Sequence, residues 1–292
     1  MAAVKIIEEV KVVSALSGPP QDDRANFLDM PISTDELAES REKELQQLFD
    51  FGCFEEVSLE LAKQHKVITT TWVDKRLSSG RVKSRVCARD YNNSKRDDTF
   101  ASTPGSASSR IVDVISGYRG HKTMIADVSA AFLHAWVPSD HVIIIRPPDG
   151  YQSADGGECL WMLRRMLYGL RGAPAAWQDV LAEILVEQGF VRGRYEPSIY
   201  MHPSKQLTLV VHVDDFHLTG PDEEMLKLMA VLEKVLVIKH QGPFGPGDSY
   251  TFLRATRYVT EEAVHVVPDT IYIEESLKDR RQGGIYSGSK VC

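Results

Sequence analysis

The run Val210-Val-His-Val-Asp214-Asp215-Phe-His-Leu-Thr219 leaves its segment few ways to fold. Residues 207–213 are apolar and rich in β-branched side chains, which spells a strand. Residues 216–218 are apolar again, and Gly220-Pro221 stops the run. Two short β runs with two acids between them predict a hairpin, with Asp214 and Asp215 at its tight tip. Asp is common in turns for its own sake, because its side chain bonds nearby backbone and tolerates left-handed conformations. For the pair in isolation, a turn role outweighs a metal role. A third carboxylate on a second strand would shift that balance, because hard cations such as Mg²⁺ take oxygen ligands.

Asp127 is the candidate. Residues 124–128 read as a buried strand carrying one charge. A lone carboxylate among apolar neighbours is costly unless it is paired or bound to metal. The competing role is the N-cap of a helix begun by Ser129-Ala-Ala-Phe132, and these residues alone fit it equally well.

Hydrophobic residues make up 43% of the 292 and charged residues 26%, the balance of an ordinary core-forming chain. The net charge of −7 gives no global sign of nucleic-acid binding, although such a sum can hide a local basic patch. Arg81, Lys83, Arg85, Cys87 and Arg89 alternate with apolar or small residues, so on a strand they share one face. A charged strand face is usually just solvated. Four cations on one side of one strand, in an otherwise acidic chain, point instead to phosphate contact. Cys53, Cys87, Cys159 and Cys292 form no Cys-x-x-Cys pair, which argues against a zinc ribbon or a thioredoxin motif. Four scattered cysteines in a chain of this size fit a reduced, intracellular protein, in cytoplasm or nucleus. The first residues mix charges into apolar positions, unlike a signal peptide, and no run is long enough to span a membrane.

Elsewhere the pattern predicts helices and short strands. Ser33-Thr-Asp-Glu36 is a capping box, and a helix should follow to about residue 51, with Leu37, Leu45, Leu48 and Phe49 inward. Ser108-Ser109 should cap a second helix with Ile111, Val112, Val114 and Ile115 inward. Pro174 opens a third, whose apolar face is Trp177, Val180, Leu181, Ile184 and Leu185. Met225, Leu228, Met229, Leu232, Val235 and Leu236 mark a fourth. Short β-rich runs cover 67–73, 142–145, 199–202 and 250–273, while 1–32 and the Gly-rich end are loosely patterned. Helices combined with an antiparallel hairpin describe an α+β domain.

Seven motifs now stand in order: Lys83-Ser-Arg-Val-Cys-Ala-Arg89, Thr99-Phe100, Asp127-Val-Ser-Ala-Ala-Phe132, Arg146-Pro-Pro-Asp-Gly-Tyr151, Leu167-Tyr-Gly-Leu-Arg-Gly-Ala-Pro-Ala-Ala-Trp177, Gly189-Phe190 and Val211-His-Val-Asp-Asp215. Together they resemble the copia-type retrotransposon reverse transcriptases, over residues 41–278. The resemblance implies a right-hand polymerase fold with an antiparallel palm sheet backed by helices. It implies fingers over 33–105 and 141–173, palm over 106–140 and 174–260, and the start of a thumb or a frayed end over 261–292, after a loose segment 1–32. It implies an RNA-directed DNA polymerase that takes an RNA template, a DNA primer and dNTPs, with two Mg²⁺ ions or Mn²⁺ in their place. Asp127, Asp214, Asp215 and the Val128 carbonyl are then the expected metal ligands. Lys83 and Arg85 are expected to meet the triphosphate. Phe132 matches the steric gate against a ribose 2′-hydroxyl. Tyr168, Gly169 and Ala173 lie in the stretch that cradles the base, and Arg89 and Val213 are expected beside template and primer.

Three positions depart from the family pattern. His212 stands for its Tyr, Gly172 for its Gln, and Arg254 for its Gly. No segment resembles a ribonuclease H, integrase or protease domain, so the chain is expected to be a piece of a longer polyprotein or a decayed genomic copy. The alternative within the same fold is a nucleic-acid-binding remnant without activity. A metal nuclease or phosphatase is the alternative outside it, and leaves the basic strand and residues 168–177 unexplained.

Overall fold

The computed structural model describes residues 30–77, 79–91, 104–105 and 108–268. Helix α1 (Thr34–Asp50) leads to β1 (Phe54–Val57), a 3-10 turn (Leu59–Lys63), β2 (Val67–Ile68), β3 (Thr70–Arg76) and β4 (Val82–Ala88). Helix α2 (Ser108–Arg119) leads to β5 (Lys122–Val128), a second 3-10 turn (Ala131–His134), β6 (Ile144–Ile145), β7 (Leu160–Leu163) and helix α3 (Ala173–Glu187). Then come β8 (Val191–Arg192), β9 (Ile199–His202), β10 (Leu207–His212), β11 (Asp215–Gly220), helix α4 (Asp222–Leu232) and β12 (Ile238–Phe244). β13 (Ser249–Phe252), β14 (Ala255–Val259) and β15 (Val264–Pro268) complete a mixed α and β architecture.

The hairpin belongs to a six-stranded sheet in the order β12-β5-β11-β10-β9-β8, antiparallel at every pairing. Strand alternation sorts its side chains. Met124, Ala126, Val128, Leu207, Leu209, Val211, Phe216 and Leu218 point to one face, where α3 and α4 cover them in a single apolar core. α3 brings Trp177, Leu181 and Leu185, one per helical turn, and α4 brings Met225, Leu228, Met229 and Leu232. Each such side chain, fully buried, contributes roughly 1.5–3 kcal/mol of transfer free energy. Asp127, Asp215 and His217 follow the opposite alternation, onto the face that α2 and the β13–β14 hairpin partly cover.

A second core joins a four-stranded sheet, order β1-β7-β6-β2, to the underside of β4 and to α1. Its centre is the stacked pair Phe54 and Trp161, 3.7 Å between ring centroids. β3 and β4 form a separate two-stranded ribbon beside it. Leu167, Leu170 and Ala173 tie this core to the start of α3.

Several expectations change. The inward face of α1 is Ser40, Glu44 and Leu48, while Phe49 is exposed. Val114 and Val235 also point outward, and α4 ends at Leu232 before Val235 is reached. Cys87 keeps the strand alternation of Lys83 and Arg85 but is buried. The Asp127 N-cap role falls away: the following 3-10 turn is entered from Ala130 in a left-handed conformation, with no side-chain cap. The loose start (1–29), Thr99-Phe100 and the stretch from residue 269 onward lie outside the described residues. No described helix is long and apolar enough to cross a membrane.

Candidate active site

β10 ends at His212 and β11 begins at Asp215, which are register partners, so Val213 and Asp214 alone make the turn. Val213 has φ of +58° and Asp214 does not share it, the φ signature of a II′ hairpin turn. A β-branched residue is strained there, at a cost of order 1–3 kcal/mol that the surroundings must offset. One offset is visible. The buried Trp177 of α3 donates its indole N–H to the Val213 carbonyl at 2.8 Å, fixing the turn from below.

The same register brings the acids together. Asp215 lies directly across the ladder from Asp127, so their Cα atoms are about 4.5–5.5 Å apart. Val128 N–H donates to the Asp214 carbonyl at 2.8 Å, tying the turn to the end of β5. Burial, then the charges of Asp214 and Asp127, push the Asp215 carboxyl up to about 6. Burial also raises Asp214, with Asp127 adding to it, while Arg85 and Lys83 pull it back. Three carboxylates brought together at one end of the sheet are a donor set suited to a hard cation. They are not a ready-made cage: among the described residues, no three His, Cys, Asp or Glu side chains are gathered closely enough to hold an ion unaided.

Lys83 and Arg85 project from β4 toward these acids. Burial and Arg85 lower the Lys83 ammonium, and the nearby Asp127, Glu44 and Asp214 raise it. The Arg85 guanidinium sits 4.7 Å over the Tyr168 ring. Tyr168 in turn meets Phe132 edge-on at 5.3 Å between centroids. Burial pushes the Tyr168 phenol up to about 12, so the ring stays neutral beside the acids. Gly169 explains itself sterically. With φ of +82°, a Cβ there would stand 2.1 Å from the Ala88 carbonyl oxygen, and Ala88 N–H already donates to the Tyr168 carbonyl at 2.7 Å.

Thus Asp127, Asp214, Asp215, Lys83, Arg85, Phe132, Tyr168 and Gly169 converge on one corner. Others do not. Ala173 is fully buried as the first residue of α3, so it packs and offers no surface to a ligand. Val128 is fully buried next to Asp127, with its N–H on the Asp214 carbonyl. Arg89 lies past the end of β4, exposed, with its N–H bound to the Thr69 carbonyl. Gly172 is the N-cap of α3, with no side chain to offer.

Two features went unseen in the sequence. Lys239 on β12 is the register partner of Asp127 on its other side, and is exposed. A cavity of about 510 Å³ opens beside the acids, lined by Asp127, Asp215, Lys239, Thr251, Phe252 and Leu253. Only strand order brings β12 and the β13–β14 hairpin there, and no local motif signals it.

The comparisons agree with this corner. The family described as reverse transcriptase (RNA-dependent DNA polymerase) matches residues 54–243. A Pol polyprotein from transposon RE2 of Arabidopsis thaliana is 32% identical over 171 residues, which cover 56% of this chain and 12% of that protein. The RE1 counterpart from the same plant is 34% identical over 154 residues, 51% of this chain and 10% of the relative. The TNT 1-94 counterpart of Nicotiana tabacum is 24% identical over 220 residues, 71% and 16% respectively. The chain therefore spans only a small part of the length of these relatives. With the matched stretch running from β1 into β12 and enclosing every residue of the acidic corner, the chain belongs to the reverse transcriptase family, as a copia-type domain of the kind found in transposon Pol polyproteins.

Proposed function

We propose that this domain is an RNA-directed DNA polymerase that adds dNTPs to the 3′-hydroxyl of a DNA primer on an RNA template. One observation carries the proposal: Lys83 and Arg85 of β4 lie close enough to feel the charges of Asp127 on β5 and Asp214 in the β10–β11 turn. Cations opposite carboxylates are what a triphosphate bridged to metal requires. In right-hand terms, 33–105 and 141–173 are the fingers, 106–140 and 174–260 the palm, and a thumb starts after 260.

Divalent metal, Mg²⁺ or Mn²⁺, would supply charge neutralisation and activation of the attacking hydroxyl when held by Asp127, Asp214 and Asp215. The chain's own groups do the positioning. Lys83 and Arg85 bind the phosphate oxygens, and Arg85 is oriented by its stack on Tyr168. Phe132, braced edge-on by Tyr168, closes the sugar side of the corner. The cavity bounded by Lys239 and Leu253, beside Asp127 and Asp215, would receive the primer end. Arg89 and Val213 would border template and primer.

The test is Mg²⁺-dependent extension of a DNA primer on an RNA template, wild type against Asp214→Asn. Extension should fall to background in the variant while melting temperature holds or rises, since a repelling buried charge is removed. Equal extension in both proteins would remove the hairpin acids from the mechanism. A folded wild type that binds primer-template without extending it, even with Mn²⁺, would leave the nucleic-acid-binding remnant.

A further inference from the structure

Among the described residues, β4 has a strand neighbour along one edge only, namely β3. Along its other edge every second residue finds a partner outside any strand. Ser40 Oγ donates to the Val82 carbonyl at 3.2 Å and accepts the Ser84 N–H at 2.9 Å. A Glu44 carboxylate oxygen accepts the Val86 N–H at 3.3 Å. The Tyr168 carbonyl accepts the Ala88 N–H at 2.7 Å. Ser40 and Glu44 stand about 6 Å apart along the axis of α1. Ser84 and Val86 are separated by about 6.6–6.8 Å of strand. That match lets one stripe of α1 serve as the missing strand. Both side chains are buried, and both lie outside the matched stretch 54–243.

Lys83 and Arg85 stand between the clamped positions. We infer that Glu44 is a positioning residue of the nucleotide site: by holding the strandless edge of β4 at Val86, it sets where Lys83 and Arg85 meet the triphosphate. The inference rests on the polymerase assignment above. Burial raises the Glu44 carboxyl, and the Val86 N–H, Arg85 and Lys83 partly offset that rise.

The test uses the full chain in primer extension with dNTP titration, alongside thermal melting, for Glu44→Ala, Glu44→Gln and Ser40→Ala. Glu44→Ala should raise KM for dNTP about tenfold with kcat changed little, a shift of cations by part of an ångström. Glu44→Gln keeps an acceptor for Val86 and should recover most of that loss. Should Glu44→Ala fail to fold, the other two carry the test, and both should raise KM to a smaller degree. KM unmoved in the folded variants, whatever their melting temperatures, overturns the inference alone. A wild type that extends no primer overturns the polymerase assignment, and the inference goes with it.

Discussion

Arg254 and Gly169 present the same backbone question with opposite answers. Leu253 and Arg254 form the two-residue turn between β13 and β14, with φ of +48° and +57°. That is the φ pattern of a I′ turn, which favours Asn-Gly. A left-handed conformation costs an L residue roughly 1–2 kcal/mol, and glycine pays back part of that gain in unfolded-chain entropy. Arg254→Gly should therefore stabilise the protein by about 0.5–1 kcal/mol, read as a higher urea midpoint at unchanged slope. A lower midpoint would mean that the contacts of the Arg254 side chain outweigh its strain. At Gly169 the glycine is already present and no other residue fits, because the Ala88 carbonyl occupies the space of a Cβ. The sequence shows Arg254 only as a departure from a family pattern. That it sits in a strained turn beside the acid cavity depends on the hairpin's φ angles, which no residue type announces by itself.

At the scale of elements, α1 shows what a local pattern can and cannot reveal. Its start is legible: Ser33 and Glu36 form the capping box their spacing predicts, with Ser33 accepting from the Glu36 N–H and Glu36 accepting from the Ser33 N–H. Its buried face is not legible, because Ser40 and Glu44 look like solvated residues until the unpaired edge of β4 is known. α3 and β9 are read correctly because apolar spacing and glycine or proline boundaries act within the element. Glu36 carries a further load in accepting two bonds from the buried Arg76, at 2.8 and 2.9 Å. Arg76, then Ser33, hold its carboxyl down at about 2, against an ordinary 4.5. A depressed folded-state value means the stabilisation is complete above about 4.5 and is lost as pH falls toward 2. Glu36→Gln keeps a capping-box acceptor but removes the charge. The gap in melting temperature between wild type and Glu36→Gln should be widest at neutral pH and close between pH 4.5 and 2. A gap independent of pH would show that shape, not charge, holds the start of α1.

On the scale of the whole molecule, the second face of the six-stranded sheet is joined to α2 and to the β13–β14 hairpin by aromatic contacts, Phe244 stacked on Tyr250 and His217 against Phe252, and by a buried polar cluster. Arg257 Nε lies 3.0 and 3.2 Å from the two carboxylate oxygens of Asp113, and its Nη1 donates to the carbonyls of Phe252 and Ala255. Tyr250 OH lies 2.9 Å from His217 Nε2 and reaches Asp113 at 3.4 Å. Asp113, His217, Tyr250 and Arg257 are all buried. They come from α2, β11, β13 and β14; Tyr250 and Arg257 share one hairpin, but Asp113 and His217 are far from it and from each other in sequence, so no local pattern announces the cluster. Such a cluster is weak evidence of net stability, yet breaking it leaves a charge in the interior, which costs roughly 3–5 kcal/mol. The exposed pair Arg164–Glu55 is the natural contrast, worth about 0–1 kcal/mol. Asp113→Ala should lower the urea midpoint far more than Glu55→Ala. Because Asp113 holds the hairpin that lines the cavity beside Asp127 and Asp215, it should also weaken binding of a primer-template duplex under conditions where the variant remains folded. If Asp113→Ala costs no more than Glu55→Ala, the hairpin is held by its own strands, and the buried ion pair does not couple the sheet to the cavity wall.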